Sequence, residues 1–300
     1  MQGQSEYGLG KRLLAAVAVP ALGLAVYFAA VRPAELRWGA TAEEVARAMP
    51  GDELMQHASF WATRAITIHA KPEAIWPWLV QMGYGRAGFY GYDLIENVGS
   101  TTGIRSGERI EPALQHAKTG DRLPLSAVAH LQFGEIAQNR YLIWRSDTEP
   151  ADGVFTWALD PQGDGTTRLV SRVRLRYHWE HAWLLTLDLF TEFADHVAVP
   201  EILRGVRDRV EGRPEKPLGV EAVEILIWLA VLAEAVAALI CIFRWRAWWR
   251  AWATACACAA VLLIVLYAQA PVWVGVGLVS IAAVVLSRAD GRRSQRSSAA

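Results

Sequence analysis

Apolar positions along the chain switch between unbroken runs, strand alternation and helical spacing. Leu13 to Val31 is an unbroken apolar run bounded by Lys11-Arg12 and Arg32, long enough to cross a hydrocarbon layer. The small residues in Phe28-Ala-Ala-Val31 leave signal-peptide cleavage open, and an uncleaved anchor is the expectation. Thr41-Ala-Glu-Glu44 then has the form of a capping box before a short helix that Pro50-Gly51 stops. Ala62 to His69 alternates, with Ile66 and Ile68 on one face and Thr67 and His69 on the other, which is the period of a half-buried strand. Pro72 opens a helix whose stripe is Ala74, Ile75, Trp78, Leu79 and Met82. Asp93-Leu-Ile-Glu96 reads as the start of a second, short helix, with Asp93 as its cap and Glu96 reaching back.

Further alternating stretches predict strands at His130 to Ile136, Asn139 to Arg145, Val154 to Asp160 and Arg168 to Tyr177. The turn Lys118-Thr-Gly-Asp121 lies between two expected edge strands within Arg109 to Leu125. Arg168 to Tyr177 has the plainest alternation. Leu169, Ser171, Val173, Leu175 and Tyr177 share one face, and Arg168, Arg172, Arg174 and Arg176 share the other, which is expected to be wet or to dock anionic headgroups. Trp183 to Val210 predicts a long helix with Phe190, Phe193, Val197, Leu203, Val206 and Val210 near one stripe, interrupted by Pro200, with a kink near Val197.

After a Pro- and Gly-rich linker come three more apolar spans, Ile225 to Phe243, Ala251 to Ala268 and Val272 to Leu286. The resulting segments are an anchor at 1–32, a helical lead-in at 33–57, a central domain at 58–212, a linker at 213–220, three membrane helices at 221–287 and a basic tail at 288–300. Basic residues precede the first span and fill Arg244 to Arg250 and Arg288 to Arg296, whereas Gln269 to Pro271 carries no charge. By the positive-inside rule both termini are cytoplasmic and the central domain lies outside the cytoplasm, in a multi-pass cell-membrane protein.

Composition agrees with this division. The chain is 53% hydrophobic at zero formal net charge, too apolar for an ordinary soluble protein. No basic block is present, which argues against nucleic acid as a partner. All three cysteines, Cys241, Cys256 and Cys258, lie in the apolar C-terminal region, so the central domain is held by packing alone. The Gly83 to Gly88 run GYGRAG fits a dinucleotide pattern but follows a helix rather than a strand, so it reads as a tight turn. The seven histidines show no metal-ligand spacing. Neither a cofactor nor a metal is expected.

The run ITIHAKPEAIWPWLVQMG followed by GFYGYDLIEN resembles the START-like, polyketide-cyclase-like superfamily, also called SRPBCC, and within it bacterial membrane-anchored members without an assigned reaction. The resemblance covers roughly Trp38 to Gly212. It implies an α+β helix-grip fold, an antiparallel sheet wrapped round a long C-terminal helix with an apolar cavity between them, here with one N-terminal and about three C-terminal transmembrane helices. The expected cavity lining is Ile66, Ile68, Trp78, Phe133, Phe155, Trp157, Val173 and Leu175, opposed by Phe190 and Phe193. Its occupant would be a lipid or another apolar small molecule. An enzyme of cyclase or dehydratase type would need polar groups converging in the same cavity, with Tyr92, His130 and His178 as candidates beside Tyr90, Asp93 and Glu96. A structural membrane protein with a packed domain is the third reading. Glu234, near the middle of one apolar span, is a candidate by virtue of its charge at membrane depth.

Overall fold

The computed structural model describes residues 2–146, 151–177, 181, 184–244, 248–267, 273–281 and 284. In chain order it contains α1 (Gln2–Val26), a π-helical turn (Tyr27–Val31), α2 (Arg32–Glu35), α3 (Ala42–Ala46), β1 (Phe60–Ile68), α4 (Pro72–Gln81) and α5 (Asp93–Glu96). Then follow β2 (Arg122–Pro124), β3 (His130–Ala137), β4 (Tyr141–Ser146), β5 (Ala151–Pro161), β6 (Thr167–Tyr177), α6 (Leu184–Val210), α7 (Leu218–Arg244) and α8 (Trp248–Tyr267). The chain divides into two units, residues 34–218 and the terminal segments 1–33 with 219–300.

In the central unit the strands form one antiparallel sheet in the order β1-β6-β5-β4-β3-β2. Short hairpins explain four of the five pairings, and the long β1–β6 ladder, from Phe60↔Leu175 to Ile68↔Thr167, joins the two ends of the sheet sequence. Strand pleat sets the faces. Phe60, Ala62, Arg64, Ile66 and Ile68 of β1 point to the same side as Leu169, Ser171, Val173 and Leu175 of β6. Against that inner face α6 runs along β1, from a ring contact between His196 and Phe60 to the Glu211 carboxylate, which accepts from His69 N at 2.8 Å. The C-terminal half of α6 (Val199, Ile202, Leu203, Val206) and α4 (Ile75, Trp78, Leu79, Met82) join Ile68, Leu142, Trp157 and Leu169 in the main core.

The outer face differs from the wet surface its four arginines suggest. Arg172 is 2% exposed. It donates to the carbonyls of Glu44, Val45 and Arg47, to Thr63 Oγ1 and to Asp52 Oδ2. Arg168 grips both oxygens of Glu44, and Arg174 reaches Asp52 and the Met55 carbonyl. The lead-in between α2 and β1 therefore lies over this face and satisfies the charges, and only Arg176, with a 3.8 Å pair to Asp152, stays substantially open. The lead-in also closes the free edge of β1, where Thr63 and Ala65 donate to the Leu36 and Trp38 carbonyls. Gly39 makes this approach feasible, since a Cβ there would sit 2.1 Å from Ala65 O and φ is +67°.

Local detail follows the sequence with two exceptions. The Thr41 capping box is formed in full, and GYGRAG is a turn closed by paired Gly83 and Gly88 backbone bonds. Residues 109–117 contain a 3-10 turn at Pro112–Leu114 rather than an edge strand. Tyr92, not Asp93, caps α5. Glu96 Oε2 accepts from Gly91 N, while the Asp93 side chain turns inward to Asn97 and Ser106.

Among the described residues, two helices are long and apolar enough to cross a membrane, Leu9–Glu35 and Leu218–Arg244, and both lie mostly in the terminal unit. Small residues line the contacts, with Ala238 and Ala255 beside Val19 and Cys258 beside Val231. Large aliphatics such as Leu14, Leu226, Leu229 and Ile240 face outward. Of the other two C-terminal spans expected, α8 covers most of one, while the region of Val272 to Leu286 is helical at 273–281 and 284 and otherwise lies outside the described residues.

Arg172→Ala removes a buried cation, takes from Asp52 one of its two arginine partners and leaves three carbonyls without their donor. It is expected to cost about 3 kcal/mol or more, whereas Arg176→Ala costs under about 1 kcal/mol. Denaturant unfolding of the full chain, followed by tryptophan fluorescence, measures both. Equal costs would contradict a lead-in held by Arg172.

Candidate functional site

The inner face of the sheet is apolar at one end and polar at the other, and α6 sets the gradient. Its buried stripe runs Asp188, Glu192, His196, Val199, Leu203, Val206, spaced three or four apart as one helical face requires. The first turns of that stripe are ionisable and the last are aliphatic. Phe190 therefore does not oppose the sheet as expected, and it is 64% exposed. On a helix it falls about 160° from Glu192, and the inward positions are already taken by the acidic residues and His196. Phe193 is half-buried on the flank.

Arg64 compensates these groups. It is 1% exposed in the middle of β1. Its Nη1 donates to Asp195 Oδ2 at 2.7 Å, its Nη2 meets His196 Nδ1 at 2.6 Å, and its Nε donates to the Glu35 carbonyl at 2.8 Å. A guanidinium has only donors, so His196 Nδ1 must accept, which fixes a neutral imidazole with its proton on Nε2. Burial pushes the Asp195 carboxyl above its ordinary pKa despite the pull of Arg64, and Glu192 adds to the rise. Burial, then Glu192, likewise raises Asp188.

Three further polar groups face the same side. Trp157 and Ser171 are register partners on β5 and β6, and Ser171 in turn pairs with Arg64 on β1. Trp144 on β4 stacks against Trp157, ring centroids 5.1 Å apart. Trp144 Nε1, Trp157 Nε1 and Ser171 Oγ are all buried without a hydrogen-bond partner among the described residues, as is Asp188 Oδ2. Buried indole N–H groups are ordinarily satisfied, so this patch is unusual.

The expected cavity lining separates into two groups. Ile68, Trp78, Phe133 and Trp157 belong to the main core with Ile66 against it, while Val173 and Leu175 cluster with Phe60 and Tyr177, and Phe155 touches both. Tyr92 lies under the Lys216 ammonium, 4.6 Å from the ring centroid. His130 lies at the opposite margin of the sheet, on β3, beside Arg122 of the edge strand β2. The structure gives these two catalytic candidates separate neighbours, and His178 lies outside the described residues. Tyr90, Asp93, Asn97 and Ser106 form a separate buried network, with Ser106 Oγ donating to Asp93 at 2.6 Å and accepting from Tyr90 N. Tyr90 has φ +68°, and α6 approaches it so closely that a Cβ on Gly205 would fall 1.9 Å from its carbonyl. In the terminal unit Glu234 is half-buried, its Oε2 enclosed without a hydrogen-bond partner among the described residues.

Arg64, Asp188, Glu192, Asp195, His196, Ser171 and Trp144 are absent from the sequence-derived site. A signal existed: Arg64 interrupts the inward positions of β1, and four ionisable residues recur at helical spacing opposite it.

No protein-family model and no curated protein matches the chain. Among solved structures it is similar to protein MLL2253 from Mesorhizobium loti, at 16% identity over 51% of this chain and 98% of that one, with a TM-score of 0.31. It is also similar to EF2215, a conserved protein of unknown function from Enterococcus faecalis, at 17% identity over 52% and 76% with a TM-score of 0.29. CalU16 from Micromonospora echinospora matches at 16% over 51% and 84%, with a TM-score of 0.26. Similarity at this level assigns neither activity nor ligand.

Arg64→Met should be pH-dependent in its effect. Without the guanidinium, burial and Glu192 hold Asp195 protonated further up the pH scale. A carboxyl whose pKa is higher folded than unfolded binds more protons when folded, so stability is kept at low pH and lost as pH rises through the unfolded and then the folded value. The expected cost is about 3 kcal/mol or more at pH 8 and clearly less at pH 5, by denaturant unfolding at each pH. A cost independent of pH would contradict the assigned role of Arg64.

Proposed function

We propose that residues 34–218 form a helix-grip domain of the START-like, polyketide-cyclase-like class that binds a hydrophobic small molecule, with a lipid as the leading candidate, at a membrane surface. The observation that carries this reading is the inner sheet face. It places Trp144 and Trp157 in the core with α4 and the C-terminal half of α6, and Ser171 beside Trp157 across the ladder, and their buried polar atoms have no partner in the described protein. A packed structural core has no use for such groups, since each unsatisfied donor costs about 1–3 kcal/mol, whereas a binding chamber uses a few polar atoms in an apolar wall to orient its occupant. The order strand, helix, short helix, strands, long helix supports the class.

Membrane attachment is supported by the two helices of sufficient length and apolarity on either side of the domain in sequence. It is also supported by their outward-facing leucines and isoleucines and their small-residue contacts, an arrangement suited to lipid. In the proposed topology α1, α7, α8 and the last apolar segment all cross the bilayer, both termini are cytoplasmic and the domain is external.

Organic extraction and mass spectrometry of the full chain, purified in detergent, should recover an apolar compound in near-stoichiometric amount. Recovery of nothing beyond the lipids that accompany any membrane protein would overturn the binding reading. Reporters active on one side of the membrane, inserted at the exposed β5–β6 turn at Gly163 or fused after Ala300, should give opposite signals. Matching signals would refute the topology.

A further inference from the structure

We infer that the molecule bound on the inner sheet face carries a neutral carbonyl oxygen, and that Trp144, Trp157 and Ser171 hold it. This rests on the reading of that face as a ligand chamber and adds the chemistry of the occupant.

Trp157 is the centre of the patch. It is 1% exposed, with Ser171 directly across the β5–β6 ladder and Trp144 diagonally across the β4–β5 ladder. Side chains directly opposite on one face stand about 5 Å apart at Cβ and diagonal ones about 7–8 Å, so the three side chains share a single small region of the face. Their chemistry is one-sided. An indole N–H donates and never accepts, and a serine hydroxyl can donate as well. The region therefore calls for an acceptor, and a carbonyl oxygen, with two lone pairs and no proton of its own, answers two donors at once.

Charge excludes the other acceptors. An anionic carboxylate or phosphate would need a cation beside it. Among the described residues, Arg86 reaches this face 5.6 Å from the Phe133 ring centroid but is committed to the Val80, Met82 and Leu114 carbonyls, and Arg64 is committed to Asp195, His196 and the Glu35 carbonyl. Beyond it stands the acidic stripe of α6, which repels an anion. A pure hydrocarbon would leave both indole N–H groups unsatisfied. A hydrophobic ketone, quinone or ester fits the aromatic wall and the donors together.

The test compares 2-acetylnaphthalene with 2-isopropenylnaphthalene, which has the same shape with CH2 in place of the carbonyl oxygen. Binding to the full chain in nanodiscs is measured by tryptophan quenching, after subtraction of partition into protein-free nanodiscs. The ketone should bind about tenfold more tightly or better, and its carbonyl stretch should shift to lower frequency on binding. Trp157→Phe, which keeps an aromatic ring and loses the donor, should erase most of that advantage, read as the ratio of ketone to alkene affinity within the variant. Ser171→Ala, a smaller change that keeps the fold if the Trp157 variant does not, should reduce it too. Equal affinity for both probes, or an advantage untouched by these variants, overturns the carbonyl assignment and leaves the chamber standing. If neither probe binds, the chamber reading falls with it.

Discussion

A guanidinium buried on the inner face of a β-sheet dictates how the rest of the central unit is arranged. Arg64 cannot be left alone there, because an uncompensated buried charge is among the most destabilising things a fold can contain. Three groups from two segments distant in sequence converge on it: the Glu35 carbonyl at the end of α2, and Asp195 and His196 from α6. That convergence fixes where α6 crosses the sheet. The first turns of α6 must then present ionisable groups inward, and the aliphatic positions of the inward stripe begin only at Val199. The inner face acquires a polar end and an apolar end from this one placement, and Trp157 and Ser171 lie where the two meet.

The opposite face obeys the same logic with a different outcome. Arg168, Arg172 and Arg174 form a row of cations on β6, and the lead-in supplies carbonyls and carboxylates at matching intervals from Gly39 to Met55. The lead-in is a strap, with α3 and a 3-10 turn inside it, that covers the arginine row of this face and also seals the β1 edge. The strap is thereby a structural part of the domain and not a passive tether.

Most of the architecture was legible in the sequence because its periods are clean. The alternation of β6, the Pro72 helix start, the Thr41 capping box and the glycine turn at Gly83 to Gly88 each depend on neighbours within a few residues. The failures share a cause: each depends on a partner far away in the chain. The arginines of β6 read as wet because nothing local reveals that residues 39–55 return to cover them. The stripe of α6 was drawn through Phe190 because apolar residues are assumed to face inward, whereas a buried Arg64 reverses that preference for two turns. Asp93 looked like a helix cap, yet its carboxylate serves Asn97 and Ser106. Trp157 was recognised as an inward residue, but its unsatisfied N–H is a property of its surroundings and has no sequence signature.

The most direct measurement is a double-mutant cycle between Arg64 and Asp195, with Arg64→Met, Asp195→Asn and the double variant compared by denaturant unfolding of the full chain at pH 7. If Arg64 holds the polar start of α6 on the sheet, the two substitutions are coupled by about 1.5 kcal/mol or more. Additivity within about 0.5 kcal/mol would mean that the two side chains do not hold each other, and that α6 is positioned by its aliphatic half alone.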